Sequence, residues 1–288
     1  MLKKVSGIVL ILAGLFFFAT SLKMIFVDIP KAKSVLKEAV YVGEEAFNAE
    51  NDGKIVIVCG PLELTKPSCD DELGLTFDSI RVSRSKQTMR RDKNNSGSKQ
   101  KLHQLTEQEK LYGVLKWGMT TSEKTFTGEG KVGDYTLSQD FIDAIRTNST
   151  WAQYDEDELN AAGYAHTQDQ DFTQKDFIEP LSQTQRAHVE NDFRYFYNAS
   201  DFKTGDTVTA LGIQDGQTLR PAPEITDNLL KDAMDRETAI KQGGAPGIGA
   251  SVFSIIFSLL LLAGYCKVLQ SCFSLKPYIF KDFTTFCI

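Results

Sequence analysis

The chain has 288 residues, 42% of them hydrophobic, with 32 Lys and Arg against 38 Asp and Glu and a net charge of −6. The apolar residues gather in two uncharged end runs, Val5 to Val27 (broken only by Lys23) and Gly243 to Cys266. Each is long enough for a helix to cross ~30 Å of hydrocarbon, which takes ~20 residues, and this excludes most cytosolic enzyme classes.

Residues 1–4 read as a cytosolic N-terminus and 5–27 as a membrane helix, with Lys23 near enough to its end to snorkel to the interface. A cleaved secretory signal is the alternative, since Lys3 and Lys4 give a basic start. The run continues through Met24 to Val27, past the ~7–15 residues of a signal core, which favours an uncleaved span. Residues 246–266 form the second span and 267–288 a cytosolic or interfacial tail. The first 27 residues carry three lysines and no acid. Beyond Pro246 the balance is +2, so residues 28–245 hold −11 of the total. Lys and Arg collect on the cytoplasmic side of short flanks. Both ends are therefore expected in the cytosol, and residues 28–245 in the lumen or periplasm.

Pro30 opens an expected helix whose Ala32, Val35, Leu36, Ala39 and Val40 give an amphipathic face. Lys54 to Cys59 is a β-branched run stopped by Gly60-Pro61, a buried strand and turn. Leu73, Leu75 and Phe77 alternate, then Ile80 and Val82 alternate on the other phase, which predicts a bulge near Asp78-Ser79. Asp92 to Gln108 is polar and reads as an exposed hairpin tip or disordered loop. Leu111 to Met119 reads as a strand, residues 137–190 as helical and loop-rich, and Ser138 to Ile145 as a capped helix. Strands return at Asp192–Tyr197 and Thr207–Ile213. Asp215-Gly216 turns the second into Gln217–Arg220, and a helix from Thr226 to Lys241 leads to the second span. The expected fold is α+β: a β-rich exported domain with flanking helices, anchored by an N-terminal and a C-terminal transmembrane helix.

Few motifs carry chemistry. Cys59 and Cys69 lie in the exported domain, where a disulfide is allowed; the other reading is two separate thiols, Cys59 being a small core residue. Cys266, Cys272 and Cys287 fall at or beyond the second span and are expected reduced, as candidate palmitoylation sites. Asn94, Asn148 and Asn198 head N-x-S/T sequons, glycosylation sites if the source is eukaryotic. Gly128 to Gly133 spells G-x-G-x-x-G, but no βαβ texture surrounds it, so a Gly-rich turn is the better reading than a nucleotide site. Arg81, Arg84, Lys86, Arg90, Arg91, Lys93, Lys99 and Lys101 form a basic stretch. Without interleaved aromatics or a cytosolic location it is no nucleic-acid site; it reads as a solvated strand face or a surface for acidic lipid or an acidic partner. Asp155 to Glu158 and Asp169 to Asp171 lack EF-hand spacing. His103, His166 and His188 are too dispersed for a metal. G-x-S-x-G and H-E-x-x-H are absent. No catalytic, cofactor or metal residue is assigned.

Four segments in this order resemble the transmembrane protein 43 (LUMA) family: Asn51 to Leu62; Asp71 to Arg84; Val132-Gly-Asp-Tyr-Thr-Leu-Ser-Gln-Asp-Phe-Ile-Asp143; and Asn191-Asp-Phe-Arg194 followed by Val208 to Pro221. The similarity covers most of the chain between the spans. Two departures are clear. Gln87-Thr-Met-Arg-Arg91 stands where the family has E-M-Y-Q-W, and one C-terminal span stands where the family has several. The resemblance implies a non-enzymatic organiser of the endoplasmic reticulum and inner nuclear membrane, or a bacterial inner-membrane counterpart. Such a protein self-associates and contacts envelope proteins and membrane lipid, with no cofactor. The strand edges around Lys54–Cys59 and Phe193–Tyr197 are the expected contacts. A membrane-anchored sensor or ligand-binding domain is the alternative, and an envelope enzyme the third.

Overall fold

A computed structural model describes residues 2–92, 106–118, 121–169, 176–244, 252–253 and 255–258. The chain divides into two units, the first made of residues 1–38, 224–226 and 244–288. Helix α1 (Leu2–Lys23) runs through a π-helical turn (Met24–Asp28) into α2 (Ile29–Lys37). Pro30 therefore continues a helix rather than opening one. Proline removes one amide donor and crowds the carbonyl four residues back. The widened turn, with the Ile29 N–H bonded to the Met24 carbonyl, accommodates that defect. Ala13–Lys37 is long and apolar enough to cross a membrane by length and composition. Phe16, Phe17, Phe26 and Val27 on this helix are exposed. Of the expected second span, Val252, Phe253 and Ile255 to Ser258 are helical; the rest of it, and the tail after it, lie outside the described residues.

The second unit comprises Ala39–Pro223 and Asp227–Gly243. Its strands are β1 (Val40–Gly43), β2 (Ile55–Lys66), β3 (Ser68–Asp70), β4 (Leu75–Phe77), β5 (Arg81–Asp92), β6 (Val114–Trp117), β7 (Thr121–Thr127), β8 (Glu129–Val132), β9 (Tyr135–Leu137), β10 (Ser149–Thr150), β11 (Tyr164–Gln168), β12 (Asp176–Pro180), β13 (Phe193–Ala199), β14 (Thr207–Asp215), β15 (Thr218–Arg220) and β16 (Leu229–Lys231). Short helices α3 (Glu107–Tyr112), α4 (Gln139–Ala144), α5 (Glu156–Ala161), α6 (Leu181–Thr184) and α7 (Arg236–Gly243) fall between and after them. The unit is mixed α+β and mostly β.

The first sheet is barrel-like. Its order is β1-β2-β8-β9-β15-β14-β16, and β14 also pairs with β2. The long β2 makes this closure feasible. Its first half, Ile55 to Pro61, pairs with β14, and Leu62 to Lys66 pair with β8. Val56, Val58, Leu62, Val132, Tyr135 and Leu219 fill the core. Helix α4, capped by the Ser138 hydroxyl accepting from Phe141 N–H, adds Phe141 and Ile142 to it.

The second sheet has the order β11-β12-β13-β5-β6, with β7 also on β5 and β10 on β13. Phe77, Val82, Trp151, Leu159, Ile178 and Tyr197 form its core. A buried ion pair sits in that layer. Arg84 donates to Asp70 at 2.7 Å and to Glu72 at 2.6 Å, and the Tyr197 hydroxyl donates to Asp70 at 2.6 Å. Lys124 and Arg84 hold the Glu72 carboxyl down at about 2. Burial and then the bond to Asp70 push the Tyr197 phenol up.

Several expectations are corrected. Cys59 and Cys69 are unbridged thiols. Cys59 is buried in β2 with its sulfur 3.4 Å from Thr209 Oγ1, while Cys69 lies in the separate β3–β4 hairpin, 3.3 Å from Asp71. The edges around Lys54–Cys59 and Phe193–Tyr197 are not open. β2 is flanked by β1 and β14, and β13 by β5 on one side and β10 and β12 on the other. The basic stretch is not one solvated face. Arg84 is buried, Lys86 lies 4.5 Å over the Phe193 ring and 5.6 Å from that of Tyr195, and Arg81 donates to the Ile145 carbonyl. Arg90 is exposed; Lys93, Lys99 and Lys101 lie outside the described residues. The expected helix Thr226–Lys241 holds β16 before α7. The expected strand Leu111–Met119 begins as the end of α3, closed by Gly113 at φ +92°. Asp78 to Ile80 is a bend separating two strands rather than a bulge within one. The G-x-G-x-x-G spelling belongs to the passage from β7 to β8. A Cβ at Gly128 would stand 2.3 Å from the Lys66 carbonyl oxygen, so this glycine permits backbones to cross.

Candidate interaction surface

The face of the second sheet opposite Ile178 and Tyr197 brings together residues from five elements. Arg194 on β13 is buried, its guanidinium carbon 4.2 Å from the Trp117 ring centroid on β6 and 3.5 Å from that of Phe177 on β12. Its Nε donates to Gln87 at 2.8 Å and its Nη1 to Asp169 at 3.0 Å. A planar cation over two rings, with its Nε and Nη1 donors directed at acceptors, is the geometry guanidinium suits and ammonium does not. Burial pushes the Arg194 guanidinium below its usual value, against the pull of Asp169 and Glu179.

Glu179 on β12 is also buried and accepts from Thr167 Oγ1 at 3.0 Å. His188 lies between two carboxylates. Its Nε2 lies 3.6 Å from Glu179 and its Nδ1 3.6 Å from Asp192, and its ring meets Trp117 edge-on at 5.1 Å. Arg194, Trp117, Glu179, Thr167 and His188 line a cleft of about 340 Å³ that Thr184, Gln168 and Asp169 complete.

The loop that carries His188 is locked from within. Asp192 receives a two-pronged Arg186 contact at 2.7 and 2.8 Å and the Val189 N–H at 2.8 Å, and Asn191 turns the chain at φ +74°. The Arg186 hydrogen bonds hold the Asp192 carboxyl at about 2, below its ordinary 3.8. A lowered folded-state value gives stability that is present above the unfolded value and lost as pH falls toward the folded one. Because Arg186 is 42% exposed, screening reduces the effect to about 1 kcal/mol. The urea midpoint of the wild type is expected to fall from pH 4 to pH 2 more than that of Asp192→Asn; parallel curves would sink this assignment.

Three large apolar side chains are exposed on α3 and on the loop that carries His188. Leu111, Tyr112 and Val189 are 67%, 54% and 50% exposed. Arg91 joins them, 6.0 Å over the Tyr112 ring and 3.5 Å from Glu190. Leu111 and Tyr112 are carried by α3, which a reciprocal Thr106–Glu109 capping box fixes at its start.

Sequence spacing did not foretell this assembly, because residues 117, 169, 179, 188 and 194 are dispersed along the chain. Asp192 and Arg194 do lie in the Asn191–Arg194 motif, the one sequence signal that reached the site. His166 pairs instead with Asp176 at 3.0 Å, and Asp155 caps α5 by accepting from Asp157 and Glu158 N–H groups. His103 and Asp171 lie outside the described residues. Among the described residues no group of three or more His, Cys, Asp or Glu is placed to hold a metal. No family model, curated protein or solved structure matches the chain.

Proposed function

We propose that the chain is a non-enzymatic, membrane-anchored protein that works through contacts made by an exported domain, as an organiser of the transmembrane protein 43 type. The observation that supports this reading is the exposure of Leu111, Tyr112 and Val189, with Arg91 reaching from the Tyr112 ring to Glu190 beside Val189. Apolar patches rimmed by polar groups mark association surfaces, and buried aromatic and Arg anchors carry most of the energy of such contacts. The two strand edges expected from the sequence are not the means, since both are paired. The first partner is a second copy of the chain, and the N-terminal apolar helix holds both copies in one membrane plane, which raises their effective concentration. Sedimentation of the full chain in detergent is expected to give an oligomer that Leu111→Asp with Val189→Asp dissociates at unchanged circular dichroism. An oligomer that survives both changes rejects the surface.

The converging polar groups of the cleft favour a second reading, a ligand-binding sensor. A thermal-shift screen of small anions, amines and short peptides separates the two. A stabilising compound whose effect is lost in Glu179→Gln, in a chain that stays monomeric, selects the sensor.

A further inference from the structure

We propose that Asn148 is the glycan acceptor of this domain, an assignment that rests on the lumenal reading of the exported domain. The fold treats the sequons unequally. Asn198 lies within β13, opposite Ser83 of β5 and Thr150 of β10. The third residue of its sequon, Ser200, is buried and bonded to the Ser79 hydroxyl at 2.8 Å. Asn198 is itself only half-exposed, which leaves a sugar less room there than at an exposed loop residue. Asn94 lies outside the described residues.

Asn148 is exposed in the connection from α4 to β10, and Thr150, the third residue of its sequon, is exposed as well. Its immediate neighbours are pinned. Thr147 Oγ1 lies 3.0 Å from Ser83 Oγ, and Ser149 Oγ donates to Asp201. The loop thus presents the Asn148 amide on a fixed backbone between two tethered residues. The side chain also borders an open cleft of about 290 Å³ with Phe202, Leu230 and Lys231, so an attached sugar meets free space.

The reaction transfers an oligosaccharide from a lipid-linked diphosphate donor. The Asn148 Nδ2–C1 bond forms as the C1–O bond to the diphosphate breaks. The diphosphate leaves with that electron pair, and the amide gives up one proton.

The test is electrophoresis of the full chain made in a eukaryotic cell, with and without peptide-N-glycosidase F. A one-glycan mobility step is expected that Asn148→Gln abolishes and Asn198→Gln preserves. A step that survives Asn148→Gln overturns the assignment. So does its absence while Ala162→Thr, which completes a sequon at the exposed Asn160, gains a glycan. If neither position is modified, the lumenal reading fails along with the site.

Discussion

Arg84→Ala is expected to remove about 3–5 kcal/mol of folding stability, the range for breaking one partner of a buried ion pair. Arg84 and Asp70 have side chains 3% and 0% exposed, and they meet at 2.7 Å. Removing the guanidinium leaves the Asp70 carboxylate in a closed layer with the Tyr197 hydroxyl as its remaining side-chain donor in this triad. It also strips cation–π contacts from Tyr195 at 4.7 Å and Phe126 at 5.7 Å. The paired change Arg84→Met with Asp70→Asn removes both charges and is expected to cost much less than either single change, because no uncompensated charge remains. Urea unfolding followed by Trp151 fluorescence reads this layer, since Trp151 packs on Phe77 at 5.4 Å. A loss below about 1 kcal/mol for Arg84→Ala would mean that the pair is solvated.

The same residue shows why the basic stretch misled. The basic run reads as a strand face, and β5 spans Arg81 to Asp92. It cannot tell which face meets aromatic residues more than a hundred positions later. Register places Lys86 opposite Tyr195 and Arg84 opposite Tyr197, and that pairing turns a run of charges into an interior layer. Local signals did transfer where the physics is local. Ser138 caps α4, Gly216 takes φ +57° at the β14–β15 turn, and the Lys54–Cys59 run became part of a buried strand. Ring closure through β2 was not legible, because it depends on one strand serving two partners along its length. The charge argument for sidedness also narrows. The continuous helix adds Lys31, Lys33 and Lys37 after the apolar run, against Lys3 and Lys4 before it. A rule that counts ~15–20 residues on each side then finds lysines at both ends of the first helix. The glycosylation experiment settles the side directly.

The barrel-like sheet carries the second large effect. Tyr135 is fully buried within it, its hydroxyl donating to Gln214 Oε1 at 3.1 Å and its ring meeting Phe47 at 5.8 Å. Gln214 in turn donates from Nε2 to the Asn48 carbonyl at 2.8 Å. One aromatic side chain thus joins β9, β14 and the loop before β2. Tyr135→Ala is expected to cost about 3–5 kcal/mol, the loss for deleting a buried ring and leaving a cavity. Tyr135→Phe keeps the ring but leaves Gln214 Oε1 without its donor, a change of about 1–3 kcal/mol. The two substitutions therefore separate packing from the polar link. Hydrogen exchange gives the location. Ile55 to Pro61 and Thr207 to Ile213 pair across the closure, so peptides covering them should lose protection first in Tyr135→Ala, while Phe193 to Ala199 in the other sheet keep theirs longer. Equal loss in all three segments would show that the sheets open as one cooperative body. Full protection of the β2 and β14 peptides would show that ring closure does not depend on this side chain.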